Sequence, residues 1–253
     1  MTNTASNTMN QEAFFEGDLL GNLLQGALSL PMVGVNREDF LRRELGRYYP
    51  EEMVTEAVRR TPAAAGIPGK TIDYIADRVI EYEAAKLGML SAAVSIPGGV
   101  AAVSATAADS LNYCAFSVRV MQKLAYLYGF QELNVRNEGN DTETMYMILV
   151  FMGTMFGVQE ATRALMQIME MYARNVADHL ARKALTKGMV YPIVKSIAKE
   201  IGVKMTKQIF ADGVASAIPV VSGLCSGGMS YVMFTAACRR LQRSLRKGQL
   251  AVV

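Results

Sequence analysis

The chain has 253 residues, enough for one full-sized hydrophobic core, with 51% hydrophobic residues, 19% charged residues and a formal net charge of +3. That balance is apolar for a soluble protein yet short of what a polytopic membrane protein carries, so it excludes the latter and leaves membrane contact open. A single histidine, His179, rules out any site built on two imidazoles, and three cysteines without C-x-x-C spacing rule out the usual zinc sets.

The opening residues, MTNTASNTMNQEAFFEGDLL, have no basic start, apolar centre or small-residue cleavage site, so a cytoplasmic location is expected. Residues 1–17 are polar and unpatterned and read as a loose tail; 18–247 read as one domain and 248–253 as a short C-terminal tail. Cys114, Cys225 and Cys238 lie in apolar surroundings and read as buried, reduced thiols.

Leu19, Leu20, Leu23, Leu24 and Ala27 recur at helical spacing up to Pro31. Asn36 can cap a short helix over 37–45, and Pro50 with Glu51 and Glu52 starts another that runs to about Arg60. The segment AAAGIPGKT, Ala63 to Thr71, nearly spells a phosphate-binding loop. Ala64 stands where the first glycine belongs and no strand precedes it, so it reads as a Pro-Gly turn before a helix.

From there Ile72, Ile75, Ala76, Val79, Tyr82 and Lys86 follow the helical step, with Asp73, Asp77 and Glu81 on a neighbouring, solvated face. The uncharged run Leu87–Ala108 is long enough to raise a transmembrane helix. Pro97-Gly98-Gly99 at its middle favours two short helices packed through small residues. Asp109 falls where a helix cap or an internal anchor is expected, with Lys123 or Lys195 as its partner. Leu111, Cys114, Ala115, Val118, Met121, Gln122 and Ala125 form the next stripe, closed by Tyr128-Gly129.

After a polar loop around Asn137–Asp141 comes an apolar run, Met145–Val158, and a stripe of Met166, Met169, Ala173, Val176, Ala177, Leu180 and Ala184. The methionines read as core rather than as an adaptable binding surface, and His179 as structural. Arg182–Lys207 then carries seven basic residues against one acid, Glu200, and Arg239–Lys247 five against none. Charge is therefore asymmetric, with a basic C-terminal third and an acidic remainder. Between them lies a second uncharged run, Gly213–Cys238, broken by Ile218-Pro219 and by Gly223, Gly227 and Gly228. The two runs suggest an internal repeat, with Arg119 and Arg239 at similar distances past their prolines.

The stretch SIPGGVAAVSATAADSLNY with the following QKLAYLYGF resembles the EcsC family, in which a Gly-x-Pro-Gly-Gly segment leads to an alanine-rich stretch with an Asp and then a helix closing on Tyr-Gly. Ser95 stands in the place of the first glycine of that segment. The segment KALTKGMVYPIVKSIAKEIGVKMTKQIFADGVASAIPVVSGLCSGGMSYVMF is similar to the family's C-terminal half, so the resemblance covers about Thr61 to Leu245. It implies an association with a transporter operon and supplies no catalytic residues.

These readings converge on an all-α, single-domain fold of about eight to ten helices, with two Pro/Gly-broken, small-residue-rich helical hairpins at its centre. The function expected is a non-catalytic role at the cytoplasmic membrane face, through the apolar hairpins and the basic third. Lys199, Lys204, Lys207, Arg239, Arg243, Arg246 and Lys247 are the candidate contacts to an anionic membrane or an acidic partner. The alternatives are a soluble helical domain that binds a protein partner or an apolar ligand between helices and, third, an enzyme with an unrecognised site. No catalytic constellation, cofactor motif or metal set is visible, and basic segments with few interleaved aromatics and no recognition motif give no reason to expect nucleic acid as a partner.

Overall fold

The computed structural model describes residues 19–94, 101–135, 142–174, 196–201 and 222–250. Helix is the regular structure throughout, and no strand occurs among the described residues. The helices are α1 (Leu19–Leu28), α2 (Arg37–Leu45), α3 (Glu51–Arg59), α4 (Gly69–Val94), α5 (Ala101–Leu127), α6 (Thr142–Met155), α7 (Gln159–Arg174) and α8 (Ser222–Leu250), with a further helical stretch at 196–201.

The short helices follow from local chemistry. The Asn36 side chain accepts the Asp39 N–H at 2.8 Å, and Glu38 and Asp39 fill the first turn of α2. Pro50 precedes α3, whose first turn holds Glu51 and Glu52. Arg37 then ties the two together. Its buried guanidinium donates to the carbonyls of Val58 at 2.6 Å, Arg60 at 3.1 Å and Phe130 at 3.0 Å, satisfying the end of α3, where a helix leaves carbonyls unpaired and partly negative.

The long helices α4, α5 and α8 make the frame. Both α5 and α8 run antiparallel to α4. Asp73 near the start of α4 meets Tyr128 just past the end of α5 and Arg246 near the end of α8, while Glu83 further along α4 meets Lys123 and Arg119. One core is shared by all of them, with Ile72, Ile80 and Leu87 of α4, Phe116 and Tyr126 of α5, Phe151 of α6, Leu165 of α7 and Phe234 of α8 buried together. Tyr113 sets its ring against Phe234 at 5.5 Å, edge to face, and Phe130 meets Phe151 at 5.3 Å. Met121, Met147, Met152, Met155 and Met169 are buried as packing material, Met166 is partly buried, and Met32 and Met89 are exposed.

Two glycines close helices. Gly129 takes φ +100 after α5, with the Phe130 N–H donating to Ala125 O at 2.9 Å; Gly157 takes φ +73 after α6, with the Val158 N–H donating to Gly153 O at 2.8 Å. Each is the six-residue return bond of a left-handed helix stop.

Several sequence expectations need correction. The break at Pro97-Gly98-Gly99 separates two long helices, of 26 and 27 residues, rather than two short ones. Gly223, Gly227 and Gly228 do not interrupt the chain, because all three lie within the continuous helix α8. Tyr82 is not on the buried stripe of α4: it is 56% exposed, and the wholly buried Glu83 takes the inward place. Asp73 and Asp77 are not a solvated face either, since both are partly buried and bonded to α5 or α8. The near-miss phosphate loop is a turn, with Gly66 at φ +83 and α4 starting at Gly69. The part of the second expected hairpin before Ser222, His179 and part of the suggested repeat fall outside the described residues.

Candidate functional site

Ile72, Ala76, Ile80 and Leu87 define the inward stripe of α4, and Glu83 lies on it. A carboxylate at such a position is costly unless paired. Its Oε1 receives two cations from α5: Lys123 Nζ, in a short ion pair, and Arg119 Nε at 3.1 Å. Residues four apart on one helix point the same way, so α5 presents both to one carboxylate. The Lys123 side chain is only 5% exposed. Its ammonium also lies 5.8 Å from the Phe40 ring centre, and the Arg43 guanidinium approaches the same ring at 5.8 Å. Arg119 further donates to Met32 O, which carries the tie into the loop between α1 and α2.

Burial pulls Lys123 below the ordinary lysine pKa, and the Glu83 charge and hydrogen bond pull it back up. Burial, with the Glu83 charge adding to it, pushes the Cys238 thiol of α8 well above its usual value. Glu83 Oε2 is buried with no hydrogen-bond partner among the described residues. With no exposed atom on Glu83, a substrate has no approach to it. The cluster joins α2, α4 and α5.

Towards the other end of α4 the chain is richly charged. Tyr128 Oη donates to Asp73 Oδ1 at 2.7 Å, Gln242 Nε2 donates to Asp77 Oδ1 at 3.2 Å, and Arg246 Nη1 lies 3.4 Å from Asp73 Oδ2. These contacts fix the register of α8 on α4: residue 246 is level with 73, and 242 with 77.

Counted along that register, one residue for one, the opposite end of the bundle collects the uncharged segments. It holds the last part of α4 after Lys86, the first part of α5 before Asp109, and the part of α8 before Arg239. Helix α1, which also has no charged residue, packs there too, and a Cβ on Gly26 would stand 2.9 Å from Leu111 Cδ1. The described apolar side chains at this end are not all covered. Met89 is 66% and Val232 63% exposed, with Leu90 and Tyr231 beside them.

The candidate residues distribute as follows. Arg239, Arg243, Arg246 and Lys247 all lie on the exposed side of α8, and Lys199 is exposed on the stretch 196–201; Lys195, Lys204 and Lys207 lie outside the described residues. Arg246 is committed in part to Asp73. Arg239, Arg243 and Lys247 have no carboxylate partner among the described residues. Asp109 sits inside α5, not at a helix start, which removes the capping reading. Nor is Lys123 its partner: fourteen residues further along the same helix it is about 21 Å away, and it pairs with Glu83 instead.

Sequence reasoning missed Glu83 and the exposure of Met89, Leu90, Tyr231 and Val232. Spacing held the signal for Glu83, which continues the series Ile72, Ala76, Ile80 at helical intervals. No group of acids, cysteines and histidine suited to a metal ion occurs among the described residues. Compared with known protein families, curated proteins and solved structures, the chain finds no match in any of the three.

Proposed function

We propose that this protein acts without catalysis at the cytoplasmic face of a membrane, pressing the uncharged end of its bundle into one leaflet. One observation carries the reading: α1, α4, α5 and α8 bring their uncharged parts to the same end, where Met89, Leu90, Tyr231 and Val232 are exposed. Apolar side chains gathered at one end, with the charged contacts of Asp73, Asp77 and Arg246 at the other, make a polarised bundle whose apolar end gains by leaving water.

Size favours one leaflet. Leu87–Val94 extends the end by about 12 Å at 1.5 Å per residue, against roughly 15 Å for half a hydrocarbon core. No described helix is long and apolar enough to cross a membrane. Membership of the EcsC family is part of the proposal and rests on the sequence segments that resemble it.

Sedimentation of the full chain with phospholipid vesicles tests the reading. Apolar insertion predicts binding that persists when the salt is raised, because screening acts on exposed charges and not on buried area. A protein left in the supernatant with every vesicle composition would sink the proposal in favour of a role away from lipid.

A further inference from the structure

We infer that the residues just below the uncharged end form a collar that recognises anionic phospholipid headgroups and fixes the depth of insertion. The inference rests on the proposed membrane contact and names the lipid class it selects. Along the register set by Asp73–Arg246 and Asp77–Gln242, Val232 is level with Leu87, and Tyr231 with residue 88. Lys86 is level with residue 233, and Arg239 with Ile80. The exposed apolar residues Met89, Leu90, Tyr231 and Val232 thus all lie on one side of the Lys86 level. Arg78, Glu81, Tyr82, Arg239 and Arg243 all lie on the other. The boundary falls between Lys86 and Met89 on α4 and between Val232 and Arg239 on α8, about one and about two helical turns.

Composition of the collar matches a lipid interface. Tyr82 is exposed and holds the Lys86 ammonium 4.5 Å from its ring centre, an aromatic and a cation at the height where a bilayer turns polar. Arg239 and Arg243 stand one turn apart on the exposed side of α8, spaced about 6 Å along the axis. Neither has a carboxylate partner among the described residues, though Arg243 Nε donates to the Arg239 carbonyl at 3.2 Å and leaves its terminal nitrogens for a ligand; Arg240 Nη1 donates to the Met155 carbonyl at 3.1 Å and Arg246 pairs with Asp73. Glu81 is the exposed acid at this level, set against Arg78, Lys86, Arg239 and Arg243. A guanidinium fork donates to phosphate oxygens in pairs, so a phosphodiester headgroup carrying net negative charge is the ligand this surface complements. From the level of Arg243 downward the charged contacts of α4 and α8 oppose further entry, since charges resist transfer into hydrocarbon.

The test uses the full chain with vesicles of phosphatidylcholine alone or mixed with phosphatidylglycerol. The protein has no tryptophan, so V232W reports the apolar end and Y48W, beside Tyr74 near the charged end, serves as the control. Binding to the mixed vesicles should fall roughly 30-fold in R239Q/R243Q, at about fivefold per basic residue, with binding to phosphatidylcholine unchanged. Brominated acyl chains should quench V232W and leave Y48W bright. Equal affinity for both vesicles, or no loss in R239Q/R243Q, overturns the collar while a quenched V232W keeps the membrane reading. Salt-sensitive binding with V232W unquenched overturns fixed-depth insertion, and no binding to either vesicle overturns both readings.

Discussion

Glu83 shows how one buried charge can organise a helical bundle. With Lys123 and Arg119 sharing its Oε1, removing the carboxylate leaves two cations facing each other in the core, and removing Lys123 leaves Glu83 with the longer contact to Arg119 alone. Breaking a buried pair from one side costs about 3–5 kcal/mol, while replacing both partners with apolar groups of similar volume is often neutral. E83Q and K123M should therefore each lower the free energy of urea unfolding by several kcal/mol, and E83L/K123M by much less than their sum. Additive losses would mean that the pair is not coupled.

The cysteines and tyrosines make a second prediction at this scale. Burial raises the Cys114 pKa to about 12, and burial likewise raises Cys238, Tyr126 and Tyr128, with Asp73 adding to the last. The folded state therefore holds these protons more tightly than the unfolded chain. Its advantage is whole below the unfolded values, near 8.5 for Cys and 10 for Tyr, and is lost as pH rises through the window that closes near 12 for Cys114. Unfolding midpoints should fall between pH 8 and pH 11. In a Cys225→Ser background no thiol should react with a disulfide reagent until the protein unfolds. Rapid labelling of Cys114 or Cys238 in the native state would contradict their burial.

At the scale of elements, the stops and close approaches carry the fold. Gly129 holds φ +100, and a Cβ there would lie 3.2 Å from Thr61 Cγ2. Gly153 has no such backbone demand; its constraint is space, with an added Cβ 2.6 Å from Ala161 Cβ and 2.9 Å from Ile197 Cγ2. Both positions should destabilise as alanine, by about 1–2 kcal/mol for the left-handed backbone at Gly129 and about 1–3 kcal/mol for overpacking at Gly153. Thermal melts would separate the causes. G129N should recover part of the loss, because asparagine tolerates the left-handed region, and G153S should recover nothing.

Legibility in the sequence follows the same division. The helices 37–45 and 51–59 were plain because their signals are local: Asn36, Pro50 and the acids behind them act within one turn. So was the glycine stop at Gly129. What did not show was whatever depends on a partner helix. Gly223, Gly227 and Gly228 look like breakers in isolation, yet α8 runs through them, since a glycine inside a helix costs only about 1 kcal/mol and a 29-residue helix outweighs so weak a local preference. Tyr82 and Glu83 are neighbours whose places on the helix differ by one step, and a hydrophobicity rule puts the wrong one inside. Only the cations of α5, some forty residues on, make the buried carboxylate affordable.

Taken as a whole molecule, the bundle separates charge from apolar surface along its length, and that separation predicts different outcomes for similar substitutions. Met89 and Val232 are both large, apolar and more than three-fifths exposed, so the core does not depend on them. M89S/V232S should unfold at nearly the same temperature as the parent, since surface changes without a partner usually shift stability by less than about 0.5 kcal/mol. The same pair should weaken vesicle binding about 10- to 100-fold, because each side chain forfeits on the order of 1 kcal/mol of apolar transfer. L87S, at the same level but wholly buried, should do the reverse, lowering stability by about 2–5 kcal/mol through a cavity in the core. If M89S/V232S lowered the melting temperature as much as L87S, these side chains would be core, and the uncharged end would be closed by protein instead of lipid.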